Sequence, residues 1–281
     1  MKKIIWISSY PKSGNTFLRV LLSTYFYSED GFYSQKLLDK IDEYPRDFFD
    51  YSSSSSLKEE SIIWKKKQGE ISDKNLEFIF LKTHLASLLI NNKYKTIEDN
   101  YTKCILYIYR DPRNVALSLR DFFNTDTSEA IKYLLNKKKI LYHKKSDLGS
   151  KSYTPILDWE SNYISYKINS KFIPTLFIKY EKLATNTEEE FLRILNFLKD
   201  FINFEINIGK AIKTINNTSF KNLKSIEERE GFYEQEKMGI LSSIKPFFSL
   251  GIKRNYKEDL ILSEEELIKT SFAKTINELG Y

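Results

Sequence analysis

A chain of 281 residues with 41% apolar and 15% aromatic residues is long for one domain, short for two, and able to bury a sizeable core. No apolar run is long enough to span a bilayer, and the apolar run after the first two lysines is too short for a secretion signal, being cut by Ser8, Ser9, Tyr10 and Pro11. Cys104 is the only cysteine, which excludes an intrachain disulfide and fits a reducing, cytoplasmic setting. The net charge of +6 suits a multiply anionic ligand but is equally compatible with nucleic acid, so charge alone separates neither.

In chain order, short apolar strands are predicted at 3–8, 77–82, 104–109 and 175–179. Helices are predicted at 14–27, 112–123, 128–142, 158–170, 187–200, 206–215 and 263–278. The last helix is expected to open on a capping box at Ser263-Glu264-Glu265-Glu266. A polar stretch at about 43–61 contains the serine run Ser52–Ser56 and reads as a mobile loop or insertion. Strands alternating with helices imply an α/β fold of three layers, with a mostly parallel central sheet and helices on both faces. No linker divides the chain, so residues 1–281 read as one domain, with 29–64 as an inserted, acceptor-side region. In such sheets the functional loops leave the carboxyl ends of the strands. The segments after residues 8, 81 and 109 should therefore share one edge.

The first of these segments, Tyr10-Pro11-Lys12-Ser13-Gly14-Asn15-Thr16-Phe17, joins a β-branched strand to an apolar-periodic helix. Gly14 permits close backbone approach to an anion, the helix start offers unpaired N–H groups over residues 13–16, and Lys12 adds a full charge. A nucleotide triphosphatase loop places its lysine after the glycine; here the order is reversed, which argues against Mg-ATP. The second segment is Lys82-Thr83-His84. Lys82 and His84 are two apart on extended chain and so face the same way, and a histidine at a strand's carboxyl end is a candidate general base. The other histidine, His143, reads as a surface residue on a polar helix. The third is Arg110-Asp111-Pro112-Arg113-Asn114-Val115-Ala116-Leu117-Ser118, in which Arg110 lies beside a helix start opened by Pro112 and Ser118 follows two turns later.

Taken together these strings resemble the signatures of the sulfotransferases, which use 3′-phosphoadenosine 5′-phosphosulfate (PAPS). The first segment is similar to the family's 5′-phosphosulfate loop, Lys-Thr-His to its catalytic tripeptide, and Arg-Asp-Pro…Ser to its 3′-phosphate signature. Three further stretches extend the likeness: Tyr180-Glu181-Lys182-Leu183, Thr218-Ser219-Phe220, and Phe247 to Lys257 around Gly251. The resemblance covers nearly the whole chain and looks closest to bacterial soluble members. It implies Lys12, Lys82 and His84 as catalytic residues. It implies Lys12, Ser13, Gly14, Asn15, Thr16, Phe17, Arg110, Ser118, Tyr180, Thr218, Phe220 and Gly251 as cofactor-binding, with Thr218 and Phe220 at the adenine. It further implies PAPS without a metal, a small-molecule or glycan acceptor, and no nucleic-acid partner. Two departures stand out. Ser249-Leu250 occupy the place of the basic residues that hold the 3′-phosphate, and Arg254 and Tyr256 replace a glycine and a tryptophan. Lys253 or, with its planar fork, Arg254 is the candidate substitute. A P-loop kinase would need a lysine after the glycine and a strand-end carboxylate for Mg²⁺. A nucleic-acid-binding protein would need a basic stripe with interleaved aromatics. Neither pattern is present.

Overall fold

The computed structural model describes residues 2–45, 56–144, 151–232, 246–248, 251 and 254–281. Four strands, β1 (Ile4–Ser9), β2 (Ile79–Thr83), β5 (Thr102–Tyr109) and β8 (Thr175–Lys179), form one parallel sheet in the order β2-β1-β5-β8. Two antiparallel ribbons lie outside it: β3 (Leu89–Ile90) with β4 (Tyr94–Lys95), and β6 (Ile140–Lys144) with β7 (Lys151–Pro155). A central parallel strand covered on both faces needs apolar residues at every position, and β1 is buried along its whole length.

The pleat sorts these side chains onto two faces. Ile5 and Ile7 meet Leu18, Leu21 and Leu22 of α1 (Asn15–Tyr27) and Ile194 and Leu198 of α7 (Thr187–Lys199). Ile4 and Trp6 meet Trp64 and Ile71 of α2 (Leu57–Asp73) and Tyr163 and Tyr166 of α5 (Trp159–Asn169). A further cluster joins α3 (Pro112–Phe123) and α4 (Thr127–Leu134) to α11 (Leu262–Ser271) and α12 (Ala273–Leu279). The remaining helices are α6 (Tyr180–Thr185), α8 (Ile208–Asn217), α9 (Phe220–Glu230) and α10 (Tyr256–Asp259), with a 3-10 turn at Gln35–Lys40. This is the three-layer α/β arrangement that the sequence pattern implies.

Several expectations are corrected. The helix predicted at 128–142 stops at Leu134. Asn136 turns the chain, its side-chain oxygen accepting from the Lys138 N–H and its carbonyl from the Lys139 N–H, and residues 140–144 form a strand. His143 therefore lies on a strand rather than a helix. The predicted mobile insertion is in part regular structure: residues 57–64 open the 17-residue α2, and Ser56, the last of the serine run, caps it by accepting from the Glu59 N–H. Residues 52–55 lie outside the described residues. The helix predicted at 263–278 begins at Leu262 and breaks at Phe272, whose ring packs 5.2 Å from that of Trp159. The reciprocal cap is made by Glu264 accepting from the Ile261 N–H, so Ser263 is inside the first turn rather than capping it.

Candidate active site

The loop between β1 and α1 bends through two left-handed residues, Lys12 (φ 65°) and Gly14 (φ 100°). A Cβ at Gly14 would fall 2.3 Å from Cδ2 of Tyr180, the first residue of α6. The Arg110 guanidinium stacks 4.4 Å from the centroid of the same ring. One of its amino groups donates to the Gly251 carbonyl (2.8 Å), and its Nε is buried with no hydrogen-bond partner among the described residues. Gly251 has φ 54°, and a Cβ there would meet the Phe220 ring at 2.5 Å. Gly14, Tyr180, Arg110, Gly251 and Phe220, which are scattered over the sequence, thus form one continuous stack. Burial raises the Tyr180 hydroxyl above its ordinary range, against the opposing charges of Arg110 and Arg254.

Around this stack, Ser13 is fully buried, while Thr16 and Phe17 are partly exposed at the start of α1, where helix geometry leaves N–H groups without intrahelical acceptors. Asn15 is structural: its amide donates to the Ile7 carbonyl (3.1 Å) and to the Ser9 hydroxyl (3.2 Å). Lys12 holds its ammonium 4.2 Å from the Phe122 ring and 4.4 Å from that of Phe247. Ser118 is partly exposed on α3, one turn before Asp121 and Phe122. Arg254 is buried and donates to an Asp121 carboxylate oxygen at 2.5 Å, so its side chain turns inward onto α3. Lys253, Ser249 and Leu250 lie outside the described residues. Thr218 departs from the expected base contact: it is fully buried and its hydroxyl donates to the Thr214 carbonyl (2.8 Å), so it braces the turn that presents Phe220.

The strand edges bring His84 next to the loop. β1 and β2 pair in register from Ile4 with Ile79 to Ser8 with Thr83, which places Ser9 beside His84. The imidazole Nδ1 lies 2.8 Å from the Ser9 carbonyl oxygen and 3.2 Å from the Ser9 hydroxyl. A carbonyl only accepts, so Nδ1 carries the proton and Nε2 is left with its lone pair. Lys82 is buried in an ion pair with Glu43 (3.1 Å), a residue brought in by bonds from the Lys82 N–H to the Asp42 carbonyl and from the Tyr44 N–H to the Lys82 carbonyl. Burial, then the Lys82 charge, push the His84 imidazole down to about 3. His84 is therefore held neutral throughout the neutral range.

Ser9, Glu43, Asp121 and Phe122 were missed as site residues, and Glu181 carried no role of its own although it lies in the Tyr180-Glu181-Lys182-Leu183 string. Glu181 accepts from both the Asp111 N–H (3.2 Å) and the Tyr281 hydroxyl (2.9 Å), bracing the start of α3. The other four act through contacts between segments that no spacing reveals.

A glycine-bearing anion loop, a partly exposed neutral histidine and a buried arginine on one edge of a parallel sheet define a phosphate-recognising group-transfer protein. A family model described as the sulfotransferase domain matches residues 2–280, and the chain belongs to the sulfotransferase family. It is 25% identical to cytosolic sulfotransferase 16 of Arabidopsis thaliana over 248 residues, covering 87% of this chain and 68% of that protein. It is 23% identical to cytosolic sulfotransferase 17 of the same plant over 251 residues, covering 88% and 66%. The chain thus spans about two thirds of the length of these relatives. Among solved structures it is similar to mouse sulfotransferase SULT7A1 complexed with PAP (TM-score 0.61, 16% identity, 98% of this chain and 84% of that one). It is also similar to retinol dehydratase in complex with androsterone and inactive cofactor PAP (TM-score 0.66, 12% identity, 97% and 80%). These structures share the fold. The curated relatives are plant proteins and lend no support to a particular likeness to bacterial members. Among the described residues no helix is long and apolar enough to cross a membrane.

Proposed function

We propose that this protein transfers a sulfuryl group from PAPS to a hydroxyl or amine of a small-molecule or glycan acceptor, with His84 as general base. The observation that carries this reading is the 2.8 Å bond from His84 Nδ1 to the Ser9 carbonyl, which leaves Nε2 as a lone-pair acceptor beside the Gly14 loop. The donor residues also fit the cofactor. Arg110 is a buried cation with an unused Nε, and among the described residues no carboxylate pairs with it, as expected of a group that meets an anion. When bound, the cofactor supplies an activated sulfuryl group and a phosphate leaving group.

In this reading Arg110 and Ser118 hold the 3′-phosphate, and Tyr180 and Phe220 offer ring faces to the nucleotide. The N–H groups at the start of α1, with Thr16, hold the 5′ side, and Lys12 neutralises charge that grows as transfer proceeds. Lys82 is paired with Glu43, so it contributes through the local field, and through direct contact only if that pair opens. Nε2 of His84 takes the acceptor's proton as its oxygen or nitrogen bonds to sulfur. The acceptor side is built from the 29–64 region and from the β6–β7 hairpin, whose end reaches the His84 segment through the bond from the Ala86 N–H to the Pro155 carbonyl (2.8 Å). A single domain over 1–281, a cytoplasmic location and the absence of a nucleic-acid partner belong to the same reading. Thermal unfolding tests it: adenosine 3′,5′-bisphosphate should raise the midpoint by mass action, while ATP–Mg²⁺ and DNA should not. A shift with ATP–Mg²⁺ alone would favour the kinase reading.

A further inference from the structure

Beyond Thr83 the sheet ends, and residues 84–88, which carry His84, belong to no strand or helix. Their backbone groups are met by side chains of other elements. On one face of α5, Asn162 donates to the His84 carbonyl (3.2 Å), Tyr166 to the Leu85 carbonyl (2.7 Å), and the Ser165 hydroxyl accepts from the Ser87 N–H (2.9 Å). Positions 162, 165 and 166 follow helical spacing, so one helix face meets residues 84–87 in succession. Outside α5, Thr96 donates to the Ala86 carbonyl (2.6 Å) and accepts from the Leu88 N–H (2.8 Å). Asn162 is fully buried and both its N–H donors and its oxygen are engaged: its amide also donates to the Ile156 carbonyl (2.8 Å), and its oxygen accepts from the Tyr107 hydroxyl (2.8 Å). A single side chain thus links the histidine's backbone, the exit of the β6–β7 hairpin and the central strand β5.

We infer that Asn162, with Tyr166 beside it on α5, is a positioning residue that fixes the direction in which His84 presents Nε2. The inference rests on the reading of His84 as the base. The clamp acts on the backbone carbonyl of His84, while Ser9 acts on its ring. Held at both ends, the imidazole has one orientation. Asn162 touches no reacting atom. The groups bearing charge on the ring are Lys82, Glu43 and Arg19, none of which is bonded to Asn162.

The test uses the full chain with ¹⁵N-labelled histidine, which gives two imidazoles to follow; a His84→Ala variant assigns them. In the unaltered protein the His84 signals should be those of the Nδ1–H tautomer and stay fixed from pH 5 to 8, about the range in which a free histidine titrates. Asn162→Ala should release the ring: mixed tautomers, and titration moving toward the ordinary value, while adenosine 3′,5′-bisphosphate still binds within about twofold, because the stack around Arg110 is built from other elements. Tyr166→Phe, which deletes one oxygen, should give the same change in smaller measure and serves if Asn162→Ala does not fold. Unchanged His84 signals in a folded Asn162 or Tyr166 variant overturn the inference. Loss of bisphosphate binding in parallel with the signal change also overturns it, by showing general damage. Full turnover by His84→Ala would instead overturn the base reading, whatever the tautomer signals show.

Discussion

Tyr180 occupies the space into which a side chain at position 14 would project: the ring carbon Cδ2 lies 2.3 Å from where a Cβ on Gly14 would be. The loop's shape and the position of the Tyr180 ring are thus one constraint. Gly14→Ala must either displace Tyr180 or abandon φ 100°, and a left-handed conformation alone costs an L-residue roughly 1–2 kcal/mol. Adenosine 3′,5′-bisphosphate binding should fall by about tenfold or more, each tenfold being about 1.4 kcal/mol. Titration calorimetry checks this. Near-normal binding by the variant would separate the loop from Tyr180.

Arg110 should govern recognition of the 3′-phosphate. Its guanidinium is buried, stacked on Tyr180 and bonded to the Gly251 carbonyl, with Nε unused. Arg110→Ala should weaken adenosine 3′,5′-bisphosphate binding by about 2–4 kcal/mol, the range for a buried charge-assisted contact, and leave adenosine 5′-monophosphate nearly unchanged. The two ligands should then bind with similar affinity. A preserved preference for the 3′-phosphorylated ligand would remove Arg110 from this role.

The strands of the parallel sheet were legible, though not their order, because apolar runs such as Ile4-Ile5-Trp6-Ile7 and Ile105-Leu106-Tyr107-Ile108 declare buried strands whatever surrounds them. The Gly14 loop, Arg110 and His84 were legible because short strings carry them and because parallel strands expose their carboxyl ends on one edge. Other features depend on partners distant in sequence. Lys82 reads as a residue facing the ligand until Glu43 is seen beside it, 39 positions away. Thr218 reads as a base contact until its helix turn buries it. Residues 135–142 read as helix because Ile131, Leu134 and Leu135 keep a helical period, and only the Asn136 turn and pairing with 151–155 make the continuation a strand.

The His84 imidazole is held down to about 3 by burial and by Lys82, so its acid limb lies well below neutrality. kcat/KM should be flat in the base-dependent limb from about pH 6 to 8, instead of rising as it would for a histidine near its ordinary value. His84→Ala should lower turnover by roughly 10²–10⁴ with cofactor affinity retained. Stability follows the same shift. Between the ordinary value and about 3 the unfolded chain binds a proton at His84 that the folded chain refuses, so stability is lost as pH falls through that window. His84→Gln should lessen that acid sensitivity in thermal unfolding measured from pH 6.5 to 4. An unchanged acid profile would show that His84 is not held neutral.

The last prediction concerns Arg254, the buried arginine of the C-terminal segment. Its side chain is 4% exposed and bonded to Asp121, whose helix also carries Ser118 one turn earlier. Both guanidinium groups, Arg110 and Arg254, bear electrostatically on Tyr180, so Arg254 is close enough to the stack to add to its positive field. The carboxylate of Asp121 both orients the fork and competes with a phosphate for it. Arg254→Ala should therefore lower affinity for adenosine 3′,5′-bisphosphate by about tenfold, as loss of a charge-assisted contact would, and spare adenosine 5′-monophosphate. Asp121→Asn, which keeps the shape and removes the competing charge, should hold or raise the preference for the 3′-phosphorylated ligand. If Arg254→Ala weakens both ligands equally, the residue is only a strut between the C-terminal segment and α3, and Arg110 with Ser118 carries the 3′-phosphate without it.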